Sequence, residues 1–66
     1  MTVIVNGRPL DVPDSLTINA LLAQLDLTQR VAAVEHNGAA LAASERDAVV
    51  LRDGDRIELV RATAGG

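Results

Sequence analysis

The chain opens with alternating side chains. Over Thr2 to Asn6, Val3 and Val5 fall on one side and Thr2, Ile4 and Asn6 on the other. A period of two in β-branched residues predicts a strand. Asn6-Gly7 then predicts a type I′ hairpin, a turn that needs positive φ at both central residues. The chain returns over 8–12 as a second strand with Leu10 and Val12 on one face. Pro9 has no N–H for a ladder, which predicts a sheet edge. Pro13-Asp14-Ser15 is a turn cluster, after which the period changes. Ile18, Leu21, Leu22 and Leu25 stand at i, i+3, i+4 and i+7, the stripe of one long helix. Thr17 or Ser15 is the candidate N-cap. With Thr17 in that role, Leu16 and Leu21 occupy the two positions of a hydrophobic staple. The polar stretch from Asp26 to Gln29 ends the helix.

Residues 30–38 read as a third strand, with Ala32, Val34 and His36 on one face. An extended piece is expected at Ala40 and Leu41, and a short turn or 3₁₀ piece near Ser44 to Asp47. Val49 to Leu51 reads as a short strand and Asp53-Gly54-Asp55 as a turn. Residues 56–62 form the last strand, with Ile57 and Leu59 facing one way and Glu58 and Val60 the other. The pattern predicts an α+β fold, a four- to five-stranded sheet covered on one face by a single helix. The first and last strands can lie side by side in its middle, joined by a crossover. Val3, Val5, Leu10, Val12, Val34, Leu51, Ile57 and Leu59 are the candidate sheet contribution to the core. Residues 1–61 are the domain, and 62–66 a flexible C-terminal tail.

Composition narrows this picture. The 66 residues include no Phe, Trp, Tyr or Cys, so the core is aliphatic and has no disulfide. A chain this small buries only about 60% of its unfolded surface. The net charge of −3 argues against a nucleic-acid partner. No apolar run approaches the length of a membrane span, and no basic segment precedes an apolar one as in a signal peptide. The expected location is cytoplasmic. All six basic residues are Arg, so the chain has no side-chain amine to accept an isopeptide bond.

Candidate chemistry is sparse. His36 is the single histidine, and Ser15 and Ser44 have no evident base. A chain of this size is not expected to wall off a ligand pocket of about 300 Å³ or more. The reading is therefore not an enzyme, with no cofactor bound by this chain. Asp53-Gly54-Asp55 has too few ligands for a calcium loop, so no metal is expected. What remains is the end of the chain, Ala62-Thr63-Ala64-Gly65-Gly66, small and uncharged. Gly65 lets a backbone approach a partner closely, and Gly66 offers an uncrowded carboxylate. A free carboxylate is a poor electrophile. Adenylation makes it a mixed anhydride from which sulfur or an amine displaces AMP. Ordering five tail residues costs about 5–10 kcal/mol, at about 1–2 each, and a partner's contacts must supply it.

Met-Thr-Val-Ile-Val-Asn-Gly at the start, Thr-Ile-Asn-Ala-Leu-Leu-Ala-Gln-Leu at 17–25, Val-Ala-Ala-Val-Glu-His-Asn-Gly at 31–38, Leu-Arg-Asp-Gly-Asp-Arg-Ile-Glu-Leu-Val-Arg-Ala at 51–62 and the final Ala-Gly-Gly follow one another in a specific order. In that order the chain resembles, over essentially its whole length, the ThiS-type sulfur carriers of thiamin thiazole biosynthesis. The resemblance implies the ubiquitin-like β-grasp fold. It implies adenylation of Gly66 by a ThiF-like adenylyltransferase using ATP, and sulfur delivery by a cysteine desulfurase relay to leave a thiocarboxylate. It implies a ThiG-like thiazole synthase as the acceptor. Ala64, Gly65 and Gly66 would enter the partners' active sites. The outward face of the last strand would help to dock them, suggesting Val60, with Ile4 and Arg61. His36 departs from the family pattern, where an apolar residue is expected, and puts the packing of the third strand in question.

Three rivals stand beside this reading. One is a carrier for another pathway, such as the small subunit of molybdopterin synthase; those chains are longer and carry aromatic residues. A ubiquitin-like protein modifier shares the activation step. An interaction module with an incidental tail would tolerate loss of Gly66, which a carrier would not.

Overall fold

In the computed structural model, which describes residues 1–62, Asn6 and Gly7 both take positive φ, 49° and 82°. They join β1 (Thr2–Val5) to β2 (Arg8–Asp11) as an antiparallel hairpin, with Val3 opposite Leu10 and Ile4 opposite Pro9. A second Asn-Gly pair does the same later. Asn37 and Gly38, at φ 51° and 87°, turn β3 (Val31–His36) into β4 (Ala39–Leu41). The third strand therefore stops at His36 rather than continuing to residue 38. The final strand, β5 (Arg56–Arg61), completes a five-stranded sheet of order β2-β1-β5-β3-β4. β5 runs parallel to β1 and antiparallel to β3. The terminal strands thus meet in the sheet interior, and Pro9 lies on an edge strand, where its missing N–H costs no ladder bond.

The helix α1 (Ile18–Gln24) begins at Thr17, whose hydroxyl accepts a hydrogen bond from the Ala20 amide at 3.1 Å. It is only seven residues long. An isolated helix shorter than about 12–15 residues is marginal in water, so packing holds this one. Ile18, Leu21 and Leu22 are fully buried, each contributing roughly 1.5–3 kcal/mol. The C-terminus closes as a Schellman motif. The Leu27 amide donates to the Leu22 carbonyl at 2.8 Å and the Asp26 amide to the Ala23 carbonyl at 3.1 Å, with Asp26 left-handed at φ 59°. This turn tucks Leu27 into the core beside Leu22, a burial hidden in the sequence by its polar neighbours.

The core joins these helix residues to Val3, Val12, Val34, Leu51, Ile57 and Leu59 of the sheet side, while Val5 and Leu10 are half-buried. Val49 to Leu51 forms no strand of the sheet. Its backbone pairs with the start of the helix: the Ile18 amide donates to Val49, the Leu51 amide to Leu16, and Thr17 forms an isolated bridge with Val50. Leu51 is buried there all the same. The 3₁₀ turn is Ala43–Glu45, beginning one residue before the stretch the sequence suggested, and turn residues follow it over 46–48.

Candidate functional site

β5 leads into the chain's last residues, and its position is fixed from both sides by asparagine side chains. Where β1 ends, the Asn6 Oδ1 accepts from the Leu59 amide at 2.7 Å and its Nδ2 donates to the Leu59 carbonyl at 3.2 Å. A side-chain amide thus replaces a backbone amide of the missing strand. At the other end, the Asn37 Oδ1 accepts from the Arg56 amide at 2.8 Å, and the Asn37 amide donates to the Arg56 carbonyl at 2.8 Å. Both residues also occupy left-handed backbone positions that Asn adopts more readily than most side chains. The turn role of Asn6 was legible in the sequence, whereas Asn37 was expected within the third strand; the clamping of β5 was legible at neither, because it depends on which strand lies beside each turn. The ladder reaches Ala62, whose amide donates to the Arg30 carbonyl at 2.8 Å.

His36 shares the inward face of β3 with Val34, opposite Ile57. Its Nε2 lies 2.8 Å from Oδ2 of Asp55, with both side chains largely covered. Asp55 also accepts from the Arg52 amide at 2.9 Å and from the Asn37 side chain at 3.2 Å. Burial alone would raise the Asp55 carboxyl. The hydrogen bonds from His36, Arg52 and Asn37, together with the histidine's charge, outweigh it and hold the carboxyl below its ordinary value. This settles the packing of the third strand. The polar ring sits at the sheet's end, where Asp55 can reach it, and the Asp53–Asp55 turn is tied to β3 through Asp55 and to β1 through Asp53. No cluster of three or more His, Asp or Glu side chains suited to a metal exists among the described residues.

The residues expected to dock partners are not brought together. Ile4 and Val60 are both on the sheet face away from the helix, and Val60 is 57% exposed, with Ala33 of β3 opposite it. Yet the parallel register sets Ile4 beside Arg56, roughly 13 Å along the strand from Val60 at about 3.3 Å per residue. Arg61 is displaced further. It has the strand parity of Ile57 and Leu59 and lines a groove on the helix side. Grouping Arg61 with the outward face is therefore corrected by the alternation of β5. Ala64, Gly65 and Gly66 lie outside the described residues, as does most of the expected tail.

That groove is open to solvent rather than walled off as a ligand pocket. It has a volume of about 610 Å³ and is lined by Val5, Asn6, Arg8, Pro9, Leu10, Leu25, Leu27, Leu59 and Arg61. It is a surface trough rather than an enclosed cavity, since Asn6, Arg8, Pro9 and Arg61 are exposed. Its origin is local. The helix stops at Gln24, β1 stops at Val5, and β5 runs on to Arg61 with no aromatic side chain in the chain to fill the gap.

Known proteins place this architecture. The sequence model of the ThiS family matches residues 3–66. A crystal structure of a thiamine biosynthesis protein, ThiS, from Geobacter metallireducens superimposes with a TM-score of 0.83 at 37% identity, with all of both chains covered. A solution NMR structure of a thiamine biosynthesis protein from the same organism gives 0.82 at 36% identity, covering all of this chain and 88% of that one. A curated thiazole synthase from Paramagnetospirillum magneticum is 35% identical over all 66 residues. The chain spans only about a fifth of that relative's length (20%). With the β-grasp sheet, the single helix and the match through residue 66, this chain belongs to the ThiS family.

Proposed function

We propose that the chain is a sulfur carrier of thiamin biosynthesis, in which Gly66 presents the reactive carboxylate. The observation that carries the reading is that the family match extends over residues 3–66 and so includes Gly65 and Gly66. In the first step a Gly66 carboxylate oxygen attacks the α-phosphorus of ATP in a ThiF-like adenylyltransferase. The bond to the β-phosphate breaks and pyrophosphate leaves. The outer sulfur of a persulfide formed by a cysteine desulfurase then attacks the carbonyl carbon, and AMP departs with the electrons of the C–O bond; a second thiol attacks the resulting acyl disulfide, and its S–S bond breaks to leave the thiocarboxylate on Gly66 and a disulfide on the sulfur-donating protein. The thiocarboxylate is handed to a ThiG-like thiazole synthase; a relative of that name containing a segment like this chain supports the pairing. On this reading the chain itself is not an enzyme, binds no cofactor, and works in the cytoplasm. No described helix is long and apolar enough to cross a membrane.

The described residues act as a rigid handle. β5, clamped at Leu59 by Asn6 and at Arg56 by Asn37, fixes the point from which the last residues depart. Gly66 supplies no side chain to hinder attack at its carbonyl. ATP–pyrophosphate exchange by the adenylyltransferase tests the assignment. Exchange should depend on this chain and vanish when Gly66 is deleted. Exchange that persists undiminished with the deleted chain would contradict it.

A further inference from the structure

The groove at the end of β5 has a charge pattern that the rest of the molecule does not share. The chain carries nine Asp and Glu side chains against six Arg, yet no lining residue of the groove is acidic and two are arginines, Arg8 and Arg61. The same lining includes the aliphatic side chains of Leu10, Leu25, Leu27 and Leu59. Leu10 and Leu25 are only half-buried, so apolar surface remains available to a further side chain. Guanidinium groups recognise carboxylates through paired, charge-assisted hydrogen bonds. Over an apolar floor that a partner dehydrates, such a pair acts in a lower effective dielectric than at an open surface. Arg61 also belongs to the strand that feeds residues 63–66. Whatever receives those residues passes close to the groove.

We infer that the groove docks a segment of the adenylating partner that presents an Asp or Glu to each of Arg8 and Arg61 and an aliphatic or aromatic side chain to the leucines of the same groove. The identity of the partner rests on the carrier function proposed above; the chemistry of the segment rests on the groove. This contact is separate from the outward sheet face around Val60, and it uses the side of the molecule where the helix ends.

The test uses the full chain and the ThiF-like adenylyltransferase in ATP–pyrophosphate exchange, varying the concentration of the chain. The double variant R8E/R61E should raise KM for the chain by at least tenfold and leave kcat unchanged, because docking contributes equally to ground and transition states. R8K/R61K should raise KM only a few-fold. Added salt should raise the wild-type KM and have little effect on that of R8E/R61E. Both arginines are exposed, so the variants should retain the wild-type thermal midpoint, which checks that the fold is intact. On titration with the enzyme, amide NMR shifts should concentrate at Leu10, Leu27, Leu59 and Arg61. An unchanged KM for R8E/R61E, with shifts confined to the Val60 face, would overturn the groove assignment and leave the carrier function standing. Wild-type self-association abolished by R8E/R61E would place a second copy in the groove and equally overturn it. Failure of the wild type to support exchange at all would instead overturn the carrier function, and with it the partner named here.

Discussion

Asn6 and Asn37 show how two residue pairs that look alike in sequence fix one strand from opposite ends. Each allows a left-handed turn, and each lends its side-chain amide to the backbone of β5. The two functions separate in Asn6→Gly, which keeps the turn and loses both bonds to Leu59. At about 0.5–1.5 kcal/mol per hydrogen bond, the variant should lose roughly 1–3 kcal/mol of stability in urea unfolding. An unchanged midpoint would mean that the side chain is not a clamp. Asp55 gives a pH signature. A carboxyl held below its ordinary 3.8 in the folded chain contributes stability that is fully present above that value. The contribution is lost as pH falls through the lower folded value. Stability should therefore drop below about pH 4, and Asp55→Asn should flatten that part of the profile. A wild-type and an Asp55→Asn profile that fall in parallel would contradict the arrangement around His36.

At the scale of elements, the helix and the sheet depend on each other. Seven helical residues do not hold a helix alone, and the sheet's inward valines and leucines are covered by the helix together with Leu27 and Leu51. Leu21→Ala should cost about 2–5 kcal/mol, enough in a 66-residue domain to leave a large unfolded fraction by circular dichroism. Asp26→Gly should act in the opposite direction. The left-handed position costs an L-residue roughly 1–2 kcal/mol, and glycine removes that strain against an entropic cost of about 0.5–1 kcal/mol. A net gain of about 0.5–1 kcal/mol is expected, and a loss would show that the Asp26 side chain stabilises the motif. These elements also show what a sequence reveals. The first hairpin, the cap at Thr17, the helix stripe and the inward face of β5 were legible, because each is written in local period or turn chemistry. Leu27 was not, because a Schellman turn with Asp in place of Gly hides the reversal that buries it. Val49 to Leu51 misled because β-branched residues serve equally well for pairing with a loop. The groove was hidden for another reason: it exists where three elements end, and no single stretch of sequence records that.

For the whole molecule, the β-grasp sheet holds its inner strand, β5, between two partner strands, β1 and β3. The strand's two faces then differ in character. The outward face shows Val60, and the helix side shows Arg61 beside the leucines of the groove. That asymmetry gives the chain two distinct surfaces at the end of β5, while the composition supplies no nucleophilic thiol or amine side chain of its own. Whether the last carboxyl group is the reacting centre is the central claim, and intact-mass spectrometry addresses it directly. The chain is incubated with ATP, a sulfide source and the ThiF-like activating enzyme, then fragmented to locate any change. The account predicts replacement of one oxygen by sulfur at Gly66, absent without ATP and absent after deletion of Gly66. An unmodified terminal carboxylate, under conditions that convert an authentic sulfur carrier, would contradict it.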